Sequence, residues 1–109
     1  VGAGLIDYKL QAVSTIRDRL PDDVQLPAYA LMHGDAAQAA YLALDDEKVT
    51  AVASGTSEAE LMAAAAAQGA RLGQTFAAMR DGAALPAHGA ESVCQWCEMA
   101  GLCRKEFFV

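Results

Sequence analysis

Gly4-Leu5-Ile6-Asp7-Tyr8-Lys9 is the stretch that decides the fold. Residues 3–10 form an apolar run in which Ile6, Tyr8 and Leu10 alternate against Asp7 and Lys9. A two-residue period is that of a β-strand, whose successive side chains point to opposite faces. Asp7 and Lys9 are therefore expected on one face of one strand. Residues 11–20 carry mixed polarity and run into Pro21, the pattern of a loop or a short helical turn. Asp22 and Asp23 are placed to cap a helix over residues 24–33, which Gly34 ends in the usual C-terminal role of glycine. On that helix Gln25 and Tyr29 are four apart and share a face.

The rest of the chain continues an α/β layer. Residues 37–44 and 49–54 are apolar enough to be the strands of a hairpin around the acidic turn Asp45-Asp46-Glu47. Ser57-x-x-Glu60 reads as a capping box. It opens a long helix through Leu61, Ala65, Leu72, Phe76 and Met79 to the neighbourhood of Gly82, with alanines suited to close packing on a sheet. Residues 83–91, with Pro86 and His88, form a linker, so the expected division is 1–82 for the core and 83–109 for the tail. His33 and His88 read as solvated or capping residues.

Composition bounds the function. The 109 residues make one small domain or part of a larger one, and 54% hydrophobic content suffices for a core. A net charge of −6 argues against a freestanding nucleic-acid binder, because phosphate contacts need clustered Lys and Arg and the eight basic residues are scattered. Carboxylates that hold divalent cations would keep a role on nucleic acid open. No apolar run approaches the roughly 18 residues that span a bilayer, so no membrane is expected. The chain starts at Val1 and enters a strand at once, which reads as a piece of a longer protein.

Cys94, Cys97 and Cys103 lie in a C-x2-C-x5-C array within the last sixteen residues. An odd count argues against a self-contained disulfide framework, and no secretory leader precedes it, so the thiols read as reduced and cytoplasmic. Clustered reduced thiolates are metal or cluster ligands. The plainer reading makes Cys94 and Cys97 small buried hydrophobes beside Trp96.

In this order, Ile6-Asp7-Tyr8-Lys9, Gln25-Leu26-Pro27-Ala28-Tyr29 and Cys94-x2-Cys97-x5-Cys103-Arg104 resemble the C-terminal half of a PD-(D/E)XK nuclease. More narrowly, the set is similar to the RecB/AddB-like exonuclease branch, including its members with an iron–sulfur cluster. The resemblance implies a restriction-endonuclease-like α/β core, a central mixed sheet flanked by helices, truncated on its N-terminal side. It implies a metal-dependent DNA exonuclease of repair and recombination, working with a helicase domain or subunit. Asp7 and the Tyr8 backbone carbonyl would hold Mg²⁺ or Mn²⁺. Lys9 would orient the attacking water and stabilise transition-state charge, Gln25 would steady the lysine or the phosphate, and Tyr29 would lie near DNA or the neighbouring motif. Cys94, Cys97 and Cys103 would hold a 4Fe-4S cluster acting as a structural staple, with Trp96 and Phe107-Phe108 shielding the site or packing the tail; Arg104-Lys105 reads as a solvated basic pair, with a phosphate contact as the alternative.

The chain also departs from that family. None of the six residues before Asp7 is acidic, whereas the family's other metal-binding acid lies upstream. Only three cysteines are present, whereas iron–sulfur clusters take four thiolates. Lys9 is followed by Leu10-Gln11 in place of the family's Thr-Gly or Ser-Gly. The 109 residues alone are therefore expected neither to cut DNA nor to hold a stable cluster. The open sheet edge beside residues 4–10 invites pairing with another chain. Two readings from other classes stay open: an interaction module whose cysteines hold zinc with a fourth ligand, and a degenerate nuclease that binds DNA ends without cutting them.

Overall fold

The computed structural model describes residues 2–85, 87 and 89–105. The chain divides into two compact units, Val1–Gln74 and Thr75–Val109. The first contains β1 (Ala3–Lys9), α1 (Val13–Arg19), a 3-10 turn (Leu20–Asp22), α2 (Gln25–His33), β2 (Ala36–Ala43), β3 (Thr50–Ala53) and the start of α3 (Glu58–Arg80). The strands form one sheet in the order β1-β2-β3. β1 and β2 run parallel, with Asp7 beside Tyr41 and Lys9 beside Ala43, while β2 and β3 are an antiparallel hairpin. Parallel neighbours need a crossover, and α1 and α2 provide it. The expected α/β class with a mixed sheet is what the protein has.

Strand alternation sorts the two faces. Ala39, Tyr41 and Ala43 of β2 and Val52 of β3 are buried in one cluster with Ile16 of α1, Leu26 and Ala30 of α2, and Leu61 and Ala65 of α3. Alanines on the buried side of β2 let the helices come close, and Tyr41 is the one large side chain among the buried residues of that strand. The opposite face stays open: Ile6 is 58% exposed and Tyr8 66%.

Three local expectations are corrected. Residues 13–19 form a true helix, because the Val13 N–H donates to Asp46 Oδ2 at 2.8 Å, a cap reaching in from the β2–β3 turn. Ala12, at the local cap position, offers no side-chain bond, so the signal is invisible nearby in sequence. The capping box forms with its second half displaced. Glu60 N–H donates to Ser57 Oγ at 3.2 Å, but the Glu60 carboxylate accepts from Thr56 N–H at 2.6 Å and Thr56 Oγ1 at 2.9 Å. Gly55 makes this reach possible at φ 78°, where a side chain would meet Glu60 Cβ. Finally, α3 packs less on the sheet than its alanines suggest, since only Leu61 and Ala65 are buried. A later close approach is to α2, where a Cβ on Gly69 would lie 3.1 Å from Leu31 Cδ1.

In the second unit α3 ends as expected at Gly82, which has φ 86° and donates its N–H to Met79 O at 3.0 Å. Two four-residue helices follow, α4 (Glu91–Cys94) and α5 (Ala100–Cys103), and neither buries a residue. Trp96 is 81% exposed, so it does not pack the tail among the described residues. Pro86, His88, Phe107 and Phe108 lie outside the described residues. Among the described residues no helix is long and apolar enough to cross a membrane.

Candidate active site

Main-chain geometry of β1 sets the site. Lys9 C=O accepts from Leu44 N–H at 2.9 Å and Gln11 C=O from Asp45 N–H at 3.4 Å, so these odd-numbered peptide groups face β2 and its continuation. Peptide groups alternate along a strand, so the Tyr8 C=O points to the free edge. The Asp7 and Lys9 side chains project onto the helix-covered face. There Lys9 Nζ lies 3.0 Å from Asp7 Oδ2. This is a contact between charges without hydrogen-bond alignment, because Asp7 Oδ2 is buried and accepts no hydrogen bond.

Lys9 donates elsewhere. Its Nζ bonds Gln25 Oε1 at 2.8 Å and stands 5.1 Å from the centroid of the Tyr41 ring, a cation–π distance. An ammonium group only donates, so the Gln25 carbonyl oxygen must face it and the amide NH₂ turns the other way. That NH₂ donates to Tyr29 OH at 2.6 Å, one helical turn along. Gln25 is held at the start of α2 by Asp23, which accepts from Gln25 N–H at 3.3 Å and Leu26 N–H at 3.1 Å. The structure thus brings Asp7, Lys9, Gln25 and Tyr29 into one connected set, with Tyr8 contributing main chain at its margin.

Tyr41 completes the set, and sequence reasoning missed it. Its hydroxyl donates to Asp23 Oδ1 at 2.7 Å, with Gln25 Oε1 also within 3.2 Å. Burial pushes its pKa well above the ordinary tyrosine value, helped by the Asp23 hydrogen bond, the Asp23 charge and the Asp7 charge. It therefore stays a neutral donor. The available signal was its place as a single bulky residue among alanines on the inward positions of residues 36–43. Asp23 was read only as a cap, yet it also ties α2 to β2. A cavity of about 190 Å³ opens beside this network, with Lys9, Gln11, Arg19, Asp23, Gln25 and Tyr41 among its walls.

The donors suit a hard divalent cation in part. The buried Asp7 oxygen, which accepts no hydrogen bond, and the edge-facing Tyr8 carbonyl are oxygen ligands, and Mg²⁺ commonly takes one or two carboxylates while keeping waters. Among the described residues, no three or more His, Cys, Asp or Glu side chains gather into a group that could hold a metal.

The same finding bears on the cysteines. All three are free; Cys94 is half-buried, with Lys105 Nζ 3.6 Å from its Sγ, and Cys97 and Cys103 are exposed. Lys105 Nζ also donates to Gly89 O at 2.6 Å, so it is not simply solvated. Three ungathered thiols do not fit a four-thiolate cluster as they stand.

No curated protein and no solved structure matches the chain. A profile of the PD-(D/E)XK nuclease superfamily matches residues 2–104. A match over so much of the sequence, on a mixed α/β sheet, means that the chain belongs to the PD-(D/E)XK nuclease superfamily.

Proposed function

We propose that Asp7, Lys9, Gln25 and Tyr29 form the working half of a centre that hydrolyses phosphodiester bonds in DNA with Mg²⁺ or Mn²⁺, as an exonuclease of repair and recombination. The nuclease class and DNA as substrate follow from the superfamily. The observation that carries the residue assignment is the Lys9 ammonium, held between Asp7 Oδ2 at 3.0 Å and Gln25 Oε1 at 2.8 Å. A bound divalent cation would supply charge neutralisation at the phosphate and a more acidic water. Asp7 and the Tyr8 carbonyl would hold it. Lys9, already fixed in place, would orient the attacking water and meet the charge that develops on the phosphate. Gln25 keeps the ammonium from swinging into solvent, and Tyr29 keeps the Gln25 amide in the required orientation.

This reading needs a further acidic ligand from residues outside this sequence. It also includes a 4Fe-4S staple on Cys94, Cys97 and Cys103 with a fourth thiolate from another segment, a cytoplasmic setting, and a helicase domain or subunit as partner. One observation favours a second reading, a degenerate nuclease that binds DNA ends: among the described residues no group of three or more His, Cys, Asp or Glu side chains that could hold a metal forms around Asp7.

The test is Mg²⁺-dependent degradation of single- and double-stranded DNA by the full-length protein, purified anaerobically. Lys9→Ala should lower the rate about a hundredfold or more, and chelation of the divalent cation should abolish it. Visible absorption of the same sample reads the cluster. No digestion by the wild type with Mg²⁺ or Mn²⁺ would favour the degenerate reading.

A further inference from the structure

The cavity beside Lys9 holds a second cation that the nuclease chemistry leaves unused. Ile16, Arg19 and Leu20 all line it, at positions i, i+3 and i+4, so one face of α1 and the turn after it looks into the cavity. Ile16 is 3% exposed and pins that face. Arg19 is exposed, and among the described residues its guanidinium makes no hydrogen bond or ion pair. Lys9, by contrast, is hydrogen-bonded to Gln25 and in ionic contact with Asp7.

The lining sets Lys9 and Arg19 against Asp23, and Asp7 stands 3.0 Å from the Lys9 ammonium. Asp23 is the carboxylate in the wall, and its charge is shared among Tyr41 OH, Gln25 N–H and Leu26 N–H. Asp7 balances Lys9 and Asp23 is held by its three donors, so Arg19 is the cation of the lining without a fixed partner among the described residues, and Gln11 and Gln25 add neutral polar groups. An anion with several acceptor oxygens suits Arg19, and a guanidinium is shaped to grip two of them at once.

We infer that Arg19 is a phosphate-positioning residue, and that the cavity receives the phosphodiester adjacent to the one addressed by Asp7 and Lys9. The identity of the ligand as a nucleic-acid strand rests on the proposed nuclease function; the site itself rests on the cavity and its uncommitted arginine. Arg17, two residues earlier on α1, does not line the cavity and serves as the matched control.

The experiment is fluorescence anisotropy of a labelled single-stranded oligonucleotide over a salt series, with Ca²⁺ replacing Mg²⁺ so that the strand stays intact. Arg19→Gln should raise Kd about tenfold and reduce the log–log salt slope by about 0.7, the value for one phosphate contact on a single strand. Arg17→Gln should track the wild type. Arg19→Lys should keep the slope but not the full affinity, since the planar fork is lost. Equal behaviour of the Arg19 and Arg17 variants, or no binding by the wild type, would overturn the inference. Cleavage with Mg²⁺ is scored in parallel to separate the two ideas. Cleavage lost in Lys9→Ala together with unchanged binding in Arg19→Gln sinks the subsite alone. Binding sensitive to Arg19 in a protein that never cleaves sinks the nuclease reading and keeps the subsite.

Discussion

Lys9 illustrates how a single side chain acquires a role from its surroundings. Its neighbours in sequence fix only the face on which it lies; Gln25, Tyr29, Tyr41 and Asp23 fix where its ammonium stands. Tyr41→Phe removes the hydroxyl and leaves the ring under Lys9. The expected outcome is a stability loss of about 1 kcal/mol and a several-fold drop in cleavage, far short of that for Lys9→Ala. Chemical denaturation at several pH values adds a sharper check. Because the folded Tyr41 pKa is raised, its contribution is complete below the unfolded value of about 10 and is lost as pH rises beyond it. The gap between wild type and Tyr41→Phe should stay constant from neutral pH to that point and then close. That Asp7 and Lys9 share a face, and Gln25 and Tyr29 another, was legible because periods of two and four are local; that the two pairs belong together came from the family resemblance. Tyr41 was not legible, because its partnership with Asp7 depends on the register of strands more than thirty residues apart.

Among the elements of the first unit, α1 is a full helix where sequence offered only a loop or a short helical turn. Its N-terminal donor is capped by Asp46 at a separation of 33 residues, so no window of neighbours contains the information. Asp46→Ala should cost about 1 kcal/mol, read as a lower denaturant midpoint, and should loosen the helix that presents Ile16 and Arg19. α3 shows the opposite case, a start fully signalled by Ser57 and Glu60. There the hydrogen bonds from Thr56 N–H and then Thr56 Oγ1 hold the Glu60 carboxyl below its ordinary pKa. That contribution is complete at neutral pH and is lost as pH falls through the folded value, so Glu60→Gln should narrow the stability difference between neutral and acid conditions. The C-terminal helices, with four residues each and nothing buried, had no periodic pattern to read.

At the scale of the whole molecule, a mixed sheet was expected and found, though for unequal reasons. The β2–β3 hairpin was written in two apolar runs and an acidic turn, whereas nothing in local spacing dictates that β1 lies parallel to β2; the family resemblance implied a mixed sheet without naming that pair. The sheet has a free β1 edge and an open face with Ile6 and Tyr8 exposed. Such an edge templates pairing. The 109-residue chain is therefore expected to self-associate at micromolar concentration in sedimentation velocity, and Ile6→Lys to shift it towards monomer; an unchanged distribution would show that the edge and its apolar face are not the contact.

The orientation of the Tyr8 peptide carries a consequence for genetics. A carbonyl oxygen belongs to every amino acid, so exchanging the tyrosine for almost any residue leaves that oxygen where it was. On the proposed role of that oxygen as a metal ligand, mutational scanning would report position 8 as dispensable, and only a change to the main chain itself, such as an ester in place of the amide that follows, would reveal the debt.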